Sequence, residues 1–108
     1  MPPSDSPPPH RVIVLPFLRQ IGHRFIIPDW AAITIGRLIF SWRPLTASEL
    51  AHELVHVGQW RENGFFHFIV RYMRESERAA KAGLDRYRDN KFEIEARLAE
   101  EAAREAEG

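Results

Sequence analysis

Hydrophobic residues in the first part of the chain are spaced as in short β-strands. Residues 11–42 carry two apolar runs, at 12–15 and 25–27, and a proline that signals a turn follows each run. Residues 32–35, Ala-Ile-Thr-Ile, alternate at the strand period of two. The parity of the apolar positions shifts after Gly36, which predicts a bulge or a tight connection there. We therefore expect two or three strands in a small sheet.

The second part of the chain opens with a strong helical pattern at residues 46–64. Residues 46–49, Thr-Ala-Ser-Glu, form a capping box, and Gly64 is a typical residue just beyond a helix end. An apolar stripe runs along one face of this predicted helix, at Leu50, Leu54 and Val57. On another face, spacings of 3, 4, 3 and 4 produce a polar stripe of Glu49, His52, His56, Gln59 and Asn63. The spacing thus places the histidines away from the core-facing stripe.

Two further helices follow. Residues 65–73 are apolar nearly all round, which predicts a helix that is largely buried. Residues 79–89 are less regular and contain Gly83, so we expect a break there. Asn90 is a good N-cap for a last helix that continues to the end of the sequence. A charged face exposed to solvent accounts for the basic residues at helical spacing, Arg71, Arg74 and Arg78.

Composition narrows the class of protein. The chain of 108 residues has 15 basic and 15 acidic residues and no cysteine. A balanced charge gives no reason to expect nucleic acid or a membrane as partner, and a metal site here depends on histidine and carboxylate ligands. Residues 1–10 are rich in proline and predict a disordered arm before a single domain at 11–108. No signal peptide or membrane-spanning stretch is evident, so we expect a cytoplasmic protein.

The chemistry of the predicted first helix lies in His52-Glu53-Leu54-Val55-His56, an H-E-x-x-H motif. Histidines four residues apart share one helix face, and both imidazoles can then reach one Zn²⁺. Glu53 stands beside that metal without being a ligand, where it can take a proton from a metal-bound water. The alternative is a pair of surface histidines with Glu53 as a solvated neighbour. The position of the motif on a well-capped helix favours the metal site.

A catalytic zinc site needs a third protein ligand. No further histidine follows within residues 57–63, so a glutamate from the last helix is the candidate, either Glu93 or Glu95. The 37 positions from His56 to Glu93 leave room for one helix, a loop and a returning helix. Glu93 and Glu95 point in nearly opposite directions on a helix, so only one of them can be the ligand. Glu93 would also suit the third helical position after an Asn90 cap.

The sequence AHELVHVGQW, followed by a separate E-x-x-A helix, resembles the gluzincin branch of the zincin metallopeptidases, and especially the small bacterial minigluzincins. The similarity covers roughly residues 31–100. It implies a minimal zincin-like fold with an active-site helix and a glutamate-bearing helix. It also implies zinc held by His52, His56 and Glu93, with Glu53 as general base. A strand within residues 33–40 would then bind an extended peptide at its edge.

Some positions depart from the pattern of that family. Arg97 stands where many relatives have an acidic residue that orients a ligand histidine, so Glu49 or the backbone must do so here. Gln59 is either a hydrogen-bond partner of the site or a solvated side chain. Tyr72 and Tyr87 are candidates by residue type for stabilising an oxyanion, although packing is the simpler role for Tyr72.

Together these patterns predict an α+β protein with a small N-terminal sheet, an active-site helix and two further helices. The predicted function is that of a zinc-dependent metallopeptidase, a hydrolase acting on a peptide or protein substrate. Because the chain is short, we also keep a second hypothesis, a catalytically silent zinc-binding module for interaction or regulation. A metal-free helical domain with a coincidental motif is the third.

Overall fold

The structure, a computed structural model, describes residues 8–25 and 31–107. Three strands form an N-terminal sheet, and three long helices follow them, which confirms the predicted α+β class. The elements in chain order are β1 (Arg11–Val14), α1 (Leu18–Phe25), β2 (Ala32–Ile35), β3 (Leu38–Ser41), α2 (Ala47–Asn63), α3 (Phe65–Lys81) and α4 (Lys91–Glu107). Most of the predicted arm at residues 1–10 lies outside the described residues.

The sheet has the strand order β1-β3-β2, so β2 is an edge strand. Strand β1 pairs with β3 in parallel, and β2 pairs with β3 antiparallel, with Thr34 opposite Ile39. A two-residue connection joins β2 to β3, and Gly36 has a φ of 63° there, a left-handed conformation that glycine adopts without strain. The tight connection predicted at Gly36 is confirmed.

Helix α1 was not predicted. Residues 11–42 appeared entirely β-like, but Leu18–Phe25 is helical. Its apolar residues Leu18, Ile21 and Phe25 do follow a helical period, which the neighbouring Pro16 and Gly22 obscured. The helix lies in the connection from β1 at one edge of the sheet to β2 at the other edge. The predicted turn at Pro28-Asp29 lies outside the described residues.

Helix α2 begins as its sequence predicts. The Thr46 hydroxyl accepts a hydrogen bond from the Glu49 amide (3.2 Å), and the Thr46 amide donates to Glu49 Oε1 (2.9 Å). Arg43 also donates to both carboxylate oxygens of Glu49, which fixes the loop between β3 and the helix. At the other end, the amide of Gly64 donates to Trp60 O and the helix stops.

Helix α3 differs from the prediction. The helix is not largely buried, since Phe68 and Ala79 are the only buried residues along it. Helix α2 packs mainly against α4, and α3 touches this pair along one edge, so the apolar residues on its other side remain exposed. The helix also runs further than expected, to Lys81, before Gly83 ends it with a φ of 78°.

Helix α4 starts at the predicted cap. Asn90 is fully buried, and its side-chain oxygen accepts a hydrogen bond from the Phe92 amide (2.9 Å). The Asn90 amide group donates to Tyr72 O and to Ser76 Oγ, both at 3.1 Å, and so ties the start of α4 to α3. Among the residues whose burial is described, the apolar core is small: Ile39, Val57, Phe68, Ala79, Phe92 and Ala96.

None of the helices in the described ranges, 8–25 and 31–107, is long and apolar enough to span a bilayer.

Candidate metal centre

Helices α2 and α4 face each other through polar side chains. His52, Glu53 and His56 of α2 are buried, and so is Glu93 of α4. Ala96, one turn after Glu93, has no exposed surface, and its small side chain lets the two helices approach closely. The expectation that the histidines lie away from the buried face is therefore wrong: the polar stripe of α2 is the surface that packs against α4.

One carboxylate oxygen connects the two histidines. Glu93 Oε1 lies 2.9 Å from His56 Nε2 and 3.4 Å from His52 Nε2. The potential ligand atoms of these three residues all lie within 4.8 Å of one another. Glu95 points to solvent and is exposed, so the structure brings Glu93, and not Glu95, to the motif histidines.

The other nitrogen of each imidazole has its own hydrogen-bond acceptor. His52 Nδ1 lies 2.7 Å from Glu100 Oε1, and His56 Nδ1 lies 2.8 Å from Gln59 Oε1. The Gln59 amide nitrogen donates to Phe92 O (3.0 Å), which fixes the amide with its oxygen toward His56. Neither oxygen can donate a hydrogen, so Nδ1 of each imidazole carries a proton, and Nε2 offers its lone pair to the centre whenever the ring is neutral.

Three acceptor atoms therefore converge on one point: His52 Nε2, His56 Nε2 and Glu93 Oε1. Such a cluster requires a cation, either protons or a metal ion, at its centre. Burial lowers the pKa of both histidines, but the hydrogen bonds and charge of Glu93 outweigh it and leave each pKa raised. Burial would raise the pKa of Glu93, and the hydrogen bonds of the histidines hold it far below its usual value.

The donor set fits zinc. Two histidine nitrogens and a carboxylate oxygen are the ligands of many catalytic zinc sites. Donors about 2.0–2.1 Å from a tetrahedral zinc ion are roughly 3.3 Å apart. The 3.4 Å separation of His52 Nε2 and Glu93 Oε1 matches this value, and the 2.9 Å contact of His56 is somewhat shorter.

Glu53 lies beside this cluster and is held by the sheet. Thr34 of β2 donates its hydroxyl to Glu53 Oε1 (2.9 Å), while Glu53 Oε2 is 3.9 Å from His52 Nε2. Burial is the largest influence on the Glu53 carboxyl and raises its pKa above the usual value. A raised pKa makes a carboxylate a better base near neutral pH. The arrangement provides a positioned base next to, but outside, the three-residue cluster.

Both tyrosines of the chain belong to the site. Tyr72 donates its hydroxyl to Glu93 Oε2 (2.5 Å), so each oxygen of that carboxylate has a separate role. Tyr87 lines the same cleft and lies close enough to Glu93 for that charge to affect it. Burial, followed by the Glu93 charge, raises the pKa of both phenols, which remain protonated donors at neutral pH. Tyr72 therefore does more than fill space in the interior, because its hydroxyl binds Glu93.

The cluster forms the floor of an open cleft of about 980 Å³. One wall is β2, and the other includes Ile69, Met73 and Tyr87. Five consecutive residues, 31–35, line the cleft at β2. The side chains of adjacent residues in a strand point to opposite faces of the sheet. Five consecutive residues can therefore all line the cleft only if the edge of the strand, and not one of its faces, borders the cleft. The edge of β2 that pairs with no strand in residues 8–25 and 31–107 therefore faces the cleft above the cluster.

Sequence reasoning missed two contributors. Glu100 lies at hydrogen-bond distance from His52 Nδ1 and orients that ring, and Glu49 does not take this role because it is bound to Arg43. Glu100 follows Glu93 by seven residues, two helical turns, and that spacing was the available signal. Thr34, the second contributor, was part of a strand pattern without any sign of its partner Glu53. Gln59 proved to be a hydrogen-bond partner and not a solvated side chain.

Comparison with known protein families, with curated proteins and with solved structures found no match for this chain. The likeness to gluzincins therefore rests on residues 52–56 and on the helix that carries Glu93, and the family remains a prediction.

Proposed function

We propose that the protein is a zinc-dependent metallopeptidase. The observation that carries the proposal is the convergence of three lone pairs, from His52, His56 and Glu93, with both imidazole protons held on the opposite side by Glu100 and Gln59. A packed core has no use for such an arrangement, whereas a cation site requires it. The cluster also opens to a cleft large enough for a peptide.

His52, His56 and Glu93 would hold the metal, with Tyr72 and Glu100 keeping two of these ligands in place. Bound zinc would supply a Lewis acid that polarises a carbonyl group and lowers the pKa of water. Because Tyr72 engages Glu93 Oε2, the carboxylate would offer the metal one oxygen. With three protein ligands at the floor of the cleft, such a site would remain accessible to water and substrate, as catalytic zinc sites require.

Glu53 is the general base of the proposed reaction. Thr34 fixes its Oε1, and its Oε2 is directed to the side where His52 Nε2 lies. In this position Glu53 would take a proton from the attacking water and then deliver it to the leaving amine. Its buried surroundings, which raise the pKa of the carboxyl, favour both steps.

The substrate would bind as an extended strand. No described strand pairs with the outer edge of β2, and a peptide could add to the sheet there beside Thr34, whose carbonyl oxygen already accepts from Trp60 Nε1 (3.1 Å). Tyr87 stands on the opposite wall as a protonated donor for the carbonyl oxygen under attack. Tyr72 is less suited to that task because its hydroxyl donates to Glu93 Oε2 at 2.5 Å, whereas Glu93 acts on Tyr87 more through its charge than through a hydrogen bond.

The test is Glu53→Gln, measured for zinc content and for cleavage of a peptide library. Glutamine keeps the shape and the Thr34 contact but cannot take a proton. We expect about one zinc per chain and a loss of cleavage of about 10²–10⁴-fold. Glu62→Gln, at an exposed position on the same helix, is the control and should cleave like the wild type.

Two outcomes would reject the peptidase. Cleavage by Glu53→Gln at the wild-type rate excludes this base. Zinc retained by a wild-type chain that cleaves no peptide in the library would assign the protein to the second hypothesis, a zinc-binding module without hydrolysis.

A further inference from the structure

Helix α3 has an apolar face that is largely exposed, although Phe65 at its start packs on the ring of Trp60, with the ring centroids 5.0 Å apart. The side chains of this face are all exposed, and they are Phe65, Phe66, Ile69, Val70 and Met73. Positions i, i+1, i+4, i+5 and i+8 form one side of a helix. Phe66 is 78% exposed and Met73 is 62% exposed, whereas Phe68, on the opposite side of the helix, is 3% exposed. This outer face is a patch of five residues, larger than the pair of exposed apolar residues on α4, Ile94 and Leu98.

Basic residues border the patch along the helix. His67, Arg74 and Lys81 follow one another at intervals of seven and form the adjacent row. Arg71 and Arg78 form the row behind it. All five of these side chains are exposed, and Arg74 has no ion pair among the described residues. Long basic side chains in this position can keep their charges in the headgroup region while their stems lie along apolar surface.

We propose that this face of α3 docks on the surface of an anionic phospholipid bilayer. Helices that lie in the membrane interface carry phenylalanine and aliphatic residues on one side and arginine and lysine beside or opposite them. Helix α3 has this distribution. The earlier expectation of no membrane partner came from the charge of the whole chain. Within α3 the charge is uneven, with four arginine or lysine residues against two glutamates.

The size of the patch favours a bilayer over a second copy of the chain. The apolar residues span nine positions, which is about 13 Å of helix. A standard protein interface draws on about 20–30 residues from each partner, and this face offers five. The face is also convex and offers no polar group among its apolar members for a directed hydrogen bond. A fluid bilayer requires neither a matching groove nor directed bonds.

Docking by this face would place the cleft at the membrane surface. Ile69 and Met73 belong both to the exposed face and to the lining of the cleft. The inference does not depend on zinc or on hydrolysis, because it rests on the outer surface of α3 alone.

The experiment is sedimentation of the full chain with vesicles of phosphatidylcholine, with and without phosphatidylglycerol. We expect the wild type to bind the vesicles that contain phosphatidylglycerol. The double variant Phe66→Ser/Val70→Ser should bind at least about tenfold more weakly, since it removes two inserted side chains. Leu98→Ser, which changes an apolar residue of α4 that is 61% exposed, is the matched control and should bind like the wild type.

Charge is tested separately with Arg74→Gln. Removing one cation near an anionic surface should weaken binding about fivefold, and added salt should reduce the difference. Unfolding curves of all variants verify that the fold is intact, which is expected because the altered side chains are exposed.

Three results would overturn the proposal. One is absence of wild-type binding to every vesicle. Another is an equal loss of binding in Leu98→Ser, which would indicate unspecific adsorption. The third is a wild-type dimer in light scattering that Phe66→Ser/Val70→Ser converts to a monomer without any vesicle binding, since the face would then be an interface between copies.

Discussion

The α2–α4 pair and α3 depart from the usual pattern of burial in opposite directions. Between α2 and α4 the buried side chains are largely polar, among them His52, Glu53, His56 and Glu93. In the first half of α3, residues 65–73, the exposed side chains are largely apolar, and Phe66 and Met73 are the most exposed of the apolar ones. The two regions are adjacent in space, because the cleft has the polar pair as its floor and one side of α3 as a wall.

The difference teaches that neither surface is explained by folding alone. Burying a polar group without a partner is unfavourable, and here His52, Glu53 and Glu93 each have a specific partner. The partners leave three lone pairs directed at one point, which a packed interior does not need. Exposing a patch of phenylalanine and aliphatic residues is also unfavourable in water. Both surfaces have the composition expected of binding surfaces, one for a cation and one for an apolar phase.

Phe66 and Phe68 provide the sharpest test of the comparison, because two residues of one type stand two positions apart on α3. Phe68 packs against the rings of Trp60, Tyr72 and Phe92, and Phe68→Ala should cost about 3–5 kcal/mol of unfolding free energy. Phe66→Ala should change it by less than about 0.5 kcal/mol. Urea unfolding measures both. Equal losses would mean that the outer face of α3 is buried after all.

Replacing Glu93 tests whether the polar side chains between α2 and α4 bind a metal. Glu93→Gln keeps the volume but removes the charged ligand, and zinc affinity should fall by more than the roughly 10–100-fold typical of losing a residue that only orients a ligand. Competition with a chromophoric chelator measures the affinity. Glu95→Gln, two residues away and exposed, is the control. A greater loss in Glu95→Gln than in Glu93→Gln would reverse the assignment of the third ligand.

Glu100 tests whether the partners behind the ligands matter. Glu100→Ala leaves Nδ1 of His52 without its carboxylate, so zinc affinity should fall about 10–100-fold while the histidine itself remains. Glu101→Ala, at the exposed neighbouring position, should have no such effect. The same chelator competition applies. An unchanged affinity in Glu100→Ala would show that His52 needs no orienting group.

The smallest effect is expected at the start of α2, where Arg43 binds Glu49. The hydrogen bond from Arg43 lowers the pKa of Glu49 from 4.5 to about 2. A lowered pKa in the folded state contributes stability above about pH 4.5 that disappears as the pH falls toward 2. For a partly exposed pair we expect at most about 1 kcal/mol. The difference in unfolding free energy between wild type and Glu49→Gln should therefore shrink as the pH falls from 6 to 2, and a constant difference would contradict the assignment.

Local patterns in the sequence predicted where α2 and α4 begin and where the chain turns between β2 and β3, but they missed α1. The capping box at Thr46, the cap at Asn90 and the turn at Gly36 each depend on a few neighbouring residues, and the structure has all three. The spacing of His52, Glu53 and His56 needed only the helical period. Glu93 was reached from its position in a later helix, although spacing alone left Glu95 open.

Long-range pairing could not be read from the sequence. Thr34 and Glu53 are 19 positions apart, and His52 and Glu100 are 48 apart, so no local pattern connects them. The burial of α3 was misjudged for a related reason. An apolar helix is buried only if another element covers it. In the described residues α2 and α4 pack mainly against each other, and neither covers the outer side of α3.

The division of the site between α2 and α4 has a consequence for the order of events during synthesis. His52 and His56 emerge from the ribosome first, and Glu93 follows 37 residues after His56, roughly 2–7 s later at ordinary rates of translation. During that interval the nascent chain exposes the two histidines and the apolar residues of α3, but not the carboxylate that joins them. A three-ligand metal site therefore cannot form until α4 has turned back at Asn90, so capture of zinc would be a late step in the maturation of this protein.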